Sequence, residues 1–245
     1  MEIRSFGVGR RMRECEKVLA TSLCGYTGRL ILLPIPTTRD NIYITSTDRT
    51  VDSVIPFIDS STTLVGYKIP DILITYARKV GAPVLDLSED ESFLAENSRI
   101  SAVGAVGYML TNRPTEPSGM TVGVIGYGRI GRELVRLLLL LGADVRVYTS
   151  RPSVAFELGE SGIRASAINH SELFELDLLI NTAPARLISV SELPPELDIL
   201  DLASGSIFES GERLIKLSSI PEAFYPISAG KIYAEAVMRF LEGVS

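Results

Sequence analysis

The chain has no tryptophan, one histidine and two cysteines among its 245 residues. Two thiols, Cys15 and Cys24, are too few for a disulfide scaffold and suit a reducing compartment. A single histidine without a second cysteine pair offers no metal-ligand set, so no metal is expected. No apolar run approaches the roughly 20 residues that cross a bilayer; the longest is Leu137–Leu141. Met1–Arg13 lacks the apolar core of a secretory signal, so a cytoplasmic protein without membrane attachment is expected. Positive charge is also scarce. Against 30 Asp and Glu there are 24 Lys and Arg, a net charge of -6, which argues against binding nucleic acid through its phosphates. There is no internal repeat and no low-complexity tract. The remaining composition, 46% apolar and 22% charged, is that of a globular chain with room for one or two domains.

The clearest boundary is Asn112–Gly119, where two prolines, a serine and a glycine interrupt structured segments. Beyond it, strand patterns at Thr121–Gly126, Ala143–Tyr148, Asp177–Asn181 and Leu197–Leu202 alternate with helical ones, the signature of a parallel sheet covered on both faces. Arg129–Leu141 carries an apolar stripe of Ile130, Leu134, Leu137, Leu138 and Leu141. Leu139 and Leu140 widen it, which predicts burial on more than one side. Ala229–Leu241 repeats the pattern with Ile232, Ala236, Val237 and Phe240. In the first half, Arg29–Pro34, Thr62–Val65 and Val84–Leu87 read as strands, and Arg10–Leu23 and Ile69–Val80 as helices. Ser98 is placed to cap a thin, small-residue helix running to about Leu110. Glu89–Glu91 reads as a solvated loop and Ser219–Pro221 as a turn. The fold expected is α/β: a C-terminal Rossmann-type doubly wound parallel sheet plus a smaller flavodoxin-like N-terminal domain, with a cleft between them. The boundaries expected are 1–96 for the N-terminal domain, 97–118 for a connecting helix and linker, 119–225 for the nucleotide domain and 226–245 for a last helix.

Gly126-Tyr127-Gly128-Arg129-Ile130-Gly131 is a GxGxxG sequence placed between a buried strand and an amphipathic helix, the context in which it binds a dinucleotide. The first glycine permits the turn, the second lets backbone approach a pyrophosphate, and the third lets helix pack on strand. Where NAD-selective proteins hold the ribose with an acidic residue at the end of the second strand, this chain has Thr149-Ser150-Arg151. Asp144 begins that strand and, at about 3.3 Å per residue, stands more than about 10 Å from its tip. Two hydroxyls and a guanidinium suit a 2′-phosphate, so NADP is expected in preference to NAD; a solvated Arg151 with loose selectivity is the alternative.

Further segments resemble one family, the dipicolinate synthase A subunits. They are Leu32-Leu33-Pro34-Ile35-Pro36, Asn97-Ser98, Ala102-Val103-Gly104-Ala105, the glycine loop, Asn181-Thr182-Ala183-Pro184-Ala185, Asp201-Leu202-Ala203-Ser204 and Pro226-Ile227-Ser228-Ala229-Gly230-Lys231. The resemblance implies a fold within the D-2-hydroxyacid dehydrogenase group and NAD(P)-dependent oxidation of a cyclic dihydrodipicolinate-type dicarboxylate. It also implies a homo-oligomer partnered by a flavoprotein-like B subunit. A D-2-hydroxyacid-type dehydrogenase and a non-catalytic dinucleotide-binding module are the competing readings. The former uses a histidine acid/base, and His170, in Asn169–Glu172, lies upstream of the place expected for it and reads as a surface residue.

No catalytic residue is assigned. Ligands of parallel sheets bind at the carboxyl ends of the strands, so Asn181, Thr182, Ala183 and Pro184, and Asp201, Ala203 and Ser204, are expected near the cofactor. Thr182 would either line the nicotinamide ribose or shape a turn, and Asp201 would either do chemistry or brace backbone N–H groups. For a substrate carboxylate the candidates are Arg10 (with its neighbour Arg11), Thr37 and Thr38, and Ser228 with Lys231 at the opening of the last helix. A plain capped helix and solvated side chains are the alternative there.

Overall fold

The computed structural model describes residues 2–168, 170–184, 193–203 and 213–244. The chain divides into two compact units. Unit 1 runs to Asn97 and resumes at Pro221, and unit 2 is the continuous stretch Ser98–Ile220.

Unit 1 opens with β1 (Glu2–Ser5), α1 (Arg10–Ser22) and β2 (Arg29–Leu32). A short 3-10 helix at Val51–Phe57, β3 (Thr62–Gly66), α2 (Asp71–Val80), β4 (Val84–Asp86) and the start of α3 (Glu91–Asn112) follow. All strands are parallel, in the order β1-β2-β3-β4. Every residue of β3 is buried, as a strand covered on both faces requires. On one face Ile31, Leu33 and Leu64 pack with Val54, Ile58, Leu73 and Ala77. The parallel α/β character matches expectation. The strand order is sequential among the described strands, without the reversal of the flavodoxin order 2-1-3-4-5.

The start of α3 corrects the sequence reading. Asp90, not Ser98, caps the helix: its Oδ1 accepts the Phe93 N–H at 2.9 Å. Glu91 lies in the first turn, where negative charge meets the positive end of the helix. Glu89–Glu91 is therefore not simply a loop, and Ser98 sits buried within the helix. Asp and Ser cap equally well. The decision falls to Phe93, which is buried beside Tyr67 and Tyr233 and extends the helix back to meet them.

Unit 2 contains β5 (Thr121–Ile125), α4 (Arg129–Leu140), β6 (Asp144–Tyr148), α5 (Pro152–Glu160), β7 (Arg164–Ser166), α6 (His170–Leu173), β8 (Leu178–Asn181), β9 (Asp198–Asp201) and β10 (Leu214–Lys216). The sheet is parallel, in the order β10-β9-β8-β5-β6-β7. That is the doubly wound order 3-2-1-4-5-6 read from its other edge, with the direction of winding reversing between β5 and β8. On α4, Leu134, Val135 and Leu138 are buried against Val122, Val124 and Val145. Leu139, Leu140 and Leu141 are 42%, 72% and 38% exposed, so α4 is buried on one side only. The inward stripe is already filled by residues three and four apart, and the next leucines rotate past it.

The chain returns to unit 1 through α7 (Ile220–Phe224) and α8 (Pro226–Val244). α8 begins at Pro226, a residue that suits the first helical position. It is not a segment apart: it packs along α1 inside unit 1. Tyr233 on α8 is fully buried and its hydroxyl donates to the Leu33 carbonyl at 2.7 Å. Tyr233→Phe is expected to destabilise the protein by about 1–3 kcal/mol, because the Leu33 oxygen loses its short partner. Urea unfolding would show this as a lower midpoint with unchanged slope. Cys15 is buried and Cys24 exposed, and neither is bridged; burial pushes the Cys15 thiol up. No helix among the described residues is long and apolar enough to cross a membrane.

Candidate functional site

The glycine loop lies at the carboxyl end of β5, beside the point where the winding of the sheet reverses. Its three glycines answer to different demands. Gly126 has φ +90°, and its N–H donates to the Tyr148 carbonyl at 2.9 Å, adding one rung to the β5–β6 ladder. A Cβ on Gly131 would stand 2.2 Å from the Gly126 carbonyl oxygen, so α4 reaches the strand only because no side chain is there. Gly128 is unlike both. Its φ of -87° is open to any residue, and a Cβ there would meet nothing within 4 Å. Neither the fold nor the backbone requires a glycine at 128. The space a side chain would fill lies at the first turn of α4, where unpaired N–H groups and the helix dipole favour an anion. A pyrophosphate fits that space.

Around the loop, Tyr127 and Ile130 are half-buried against the unit 2 core, and Arg132 lies over the Tyr127 ring at 5.5 Å. Arg129 is exposed at the start of α4. At the end of β6, Thr149 is buried and its Oγ1 accepts the Arg151 N–H at 3.2 Å, so this hydroxyl shapes the turn. Ser150 is exposed. Arg151 is exposed, and its Nη2 donates to the Tyr127 carbonyl at 2.9 Å, joining the tip of β6 to the glycine loop. Asp144, the nearest acid on this strand, is at its far end and pairs with Arg164 at 3.3 Å.

The ends of β8 and β9 are braced internally. Asn181 is fully buried and donates to Asp201 Oδ1 at 2.8 Å and to the Ala183 carbonyl at 3.2 Å. Its Oδ1 accepts the Ala183 N–H at 3.2 Å. Asp201 Oδ1 also accepts the Ala203 N–H at 3.1 Å. The Thr182 hydroxyl donates to the Ile125 carbonyl at 2.9 Å, so its proton is spent on the sheet rather than offered to a ribose. Asn181, Thr182 and Asp201 thus hold the two strand ends in place. Of the remaining residues, Ala183 is half-buried, Pro184 is exposed, Ala203 is half-buried, and Ser204 lies outside the described residues. His170 opens α6 by its backbone, and its side chain also lies outside the described residues.

In unit 1, Thr37 and Thr38 do not present free hydroxyls. Thr37 is fully buried and its Oγ1 accepts the Tyr67 N–H at 3.1 Å. Thr38 Oγ1 accepts the Asn41 N–H at 3.0 Å and donates to Asp40. Both build the loop after β2. Ser228 and Lys231 are exposed on α8, and since α8 starts at Pro226, Ser228 is not its cap. Between them Gly230 allows close packing on α1: a Cβ would stand 2.6 Å from the Arg11 carbonyl oxygen. The Arg10 side chain is exposed, while its N–H donates to Glu222 Oε1 at 3.0 Å. No hydrogen bond or ion pair joins Arg10, Thr37, Thr38, Ser228 and Lys231 into one set among the described contacts. The buried partner of Glu222 is Arg11, and Glu222 itself had no signal in the sequence, since 211 residues separate the two.

A glycine loop at the end of the first strand of a parallel sheet of this order is the arrangement of dinucleotide-binding doubly wound folds. The family model for the D-isomer specific 2-hydroxyacid dehydrogenase NAD binding domain matches residues 97–189. The chain is also similar to the dipicolinate synthase A subunits. It is 27% identical to the one from Bacillus subtilis over 172 residues, 64% of this chain and 57% of the relative, so the alignment spans little more than half the relative's length. The solved structure of the Bacillus subtilis protein superposes with a TM-score of 0.79 at 20% identity, covering all of this chain and 96% of the other. Its counterpart from Bacillus halodurans gives 0.77 at 21% identity, covering 98% and 97%.

Proposed function

We propose that the protein is an NADP-preferring oxidoreductase acting on a small cyclic dicarboxylate of the dihydrodipicolinate type, and that its partner in the cell is a second, flavoprotein-like subunit. The observation that carries the reading is Gly128, a glycine that neither backbone conformation nor packing explains and that clears the place of a pyrophosphate. The first-turn N–H groups of α4 would hold the phosphates, and Arg151 would leave the Tyr127 carbonyl to take a 2′-phosphate. The Asn181–Asp201 brace would keep the ends of β8 and β9 fixed beside the nicotinamide. Bound NADP+ supplies the hydride acceptor. The dihydropyridine ring would become aromatic by giving a hydride to NADP+ and a proton to water.

The test is turnover of a dihydrodipicolinate-type substrate followed by NADPH absorbance, with NAD+ and with small 2-hydroxy acids in parallel. Oxidation of the 2-hydroxy acids instead would replace this reading by that of a hydroxyacid dehydrogenase. Arg151→Ala is expected to weaken NADP binding by about 1–3 kcal/mol, a factor of roughly 5–150, and to leave NAD binding within twofold. Equal losses for the two cofactors would make Arg151 a loop brace only.

A further inference from the structure

In unit 1 a carboxylate of the chain itself rests on the start of α1. β1 ends at Ser5, and beside the Gly7–Gly9 turn lies a cavity of about 700 Å³ whose lining carries both Asp48 and Arg49. The chain then turns at Gly9 into a helix of 13 residues. On its first turn rests the carboxylate of Glu222, carried in from α7. Its Oε1 accepts the Arg10 N–H at 3.0 Å and the Arg11 N–H at 3.4 Å, and its Oε2 is 3.7 Å from Arg11 Nε. Gly9, with φ +108°, makes the room: a Cβ there would stand 2.4 Å from Glu222 Oε1.

Arg11 is poorly served by this arrangement. It is 5% exposed, its Nε makes no hydrogen bond, and Nη2 reaches Asn97 Oδ1 only at 3.4 Å. A guanidinium taken out of water is costly unless a carboxylate meets it in the plane of its donors, and burial depresses its proton affinity here. Glu222 is tethered by α7 and meets the helix N–H groups well but the guanidinium badly. A small free carboxylate is under no such tether.

We propose that the first turn of α1 and Arg11 form a carboxylate-binding site, and that Glu222 is its internal occupant, displaced when a small dicarboxylate binds. That the ligand is a dicarboxylate rests on the function proposed above; that the site takes a carboxylate does not.

The experiment is calorimetric titration of the whole protein with pyridine-2,6-dicarboxylate and, separately, with malonate, for wild type, Glu222→Ala and Glu222→Gln. The Gln variant keeps the side-chain shape where the Ala variant would leave the helix start bare. Removing the tethered charge is expected to tighten binding at least tenfold, and adding Arg11→Lys to Glu222→Ala should abolish the gain. Amide nitrogen signals of Arg10 and Arg11 in the wild-type protein should shift on titration. NADP binding, in unit 2, should stay unchanged throughout. Tightening for malonate alone would sustain the site and remove the cyclic dicarboxylate from the proposed function. Affinities in the Glu222 variants equal to or weaker than wild type for both probes, or unshifted Arg10 and Arg11 amides, would overturn the site.

Discussion

Gly128→Val is expected to weaken dinucleotide binding at least about 100-fold, near 2.7 kcal/mol, while the melting temperature stays within about 4 °C of wild type. The two halves of that expectation have separate grounds. In the folded chain the added side chain meets no atom near its Cβ, and its φ of -87° is ordinary, so neither packing nor backbone strain opposes it. Gly128 is the N-cap of α4, where glycine is favoured over valine, so the replacement costs up to about 1 kcal/mol although it removes no side-chain hydrogen bond. In the complex proposed above the same volume would hold the pyrophosphate. Titration followed by fluorescence of the reduced cofactor, beside a thermal melt of the same sample, reads both. Binding within twofold of wild type would remove the dinucleotide site from this loop.

Gly131→Ala should behave in the opposite way. One methyl group placed 2.2 Å from the Gly126 carbonyl oxygen has no flexible neighbour to push aside, because the obstacle is backbone. α4 must lift from β5, and the packing of Leu134, Val135 and Leu138 lifts with it. A cost of about 3 kcal/mol follows from overpacking of this kind, which lowers the melting temperature by roughly 6–12 °C. Binding is lost as well, as a consequence of the displaced helix. The pair of variants separates a glycine kept for the ligand from one kept for the fold. A Gly131→Ala protein that melts like wild type would mean that α4 and β5 do not meet as closely as the Gly131–Gly126 approach requires.

The glycine loop was legible in the sequence because everything that defines it is local. Strand, turn and helix follow one another directly, and each glycine's purpose is set by its immediate neighbours. Arg151 was legible for a related reason, since a strand of known rise brings its end to a known place. Asn181, Thr182 and Asp201 were found as residues at strand ends, but their direction was not. Whether Thr182 turns to a ligand or to the Ile125 carbonyl depends on β8 lying beside β5, a pairing across 57 positions. Thr37 and Thr38 failed as ligand candidates on the same ground, because the loop after β2 uses both hydroxyls itself. The exposed Leu139–Leu141 misled because hydrophobicity was read where only the angle around the helix decides. Arg11 with Glu222 could not be paired from the sequence at all, since no spacing rule joins residues so far apart along a chain.

Unit 2 is one uninterrupted stretch, whereas unit 1 is written in two pieces with unit 2 between them. Synthesis therefore does not complete the units in the order in which they begin. Residues 1–97 leave the ribosome with the face of α1 uncovered, and with the Leu33 carbonyl still lacking the hydroxyl that will later close on it. The nucleotide unit emerges whole while they wait, and domains fold as they emerge. Only when α8 has been made does the earlier piece acquire its remaining helix. A nascent chain halted anywhere between Ser98 and Ile220 would carry bare apolar surface on its oldest part, which makes that interval the one in which a chaperone has most to hold.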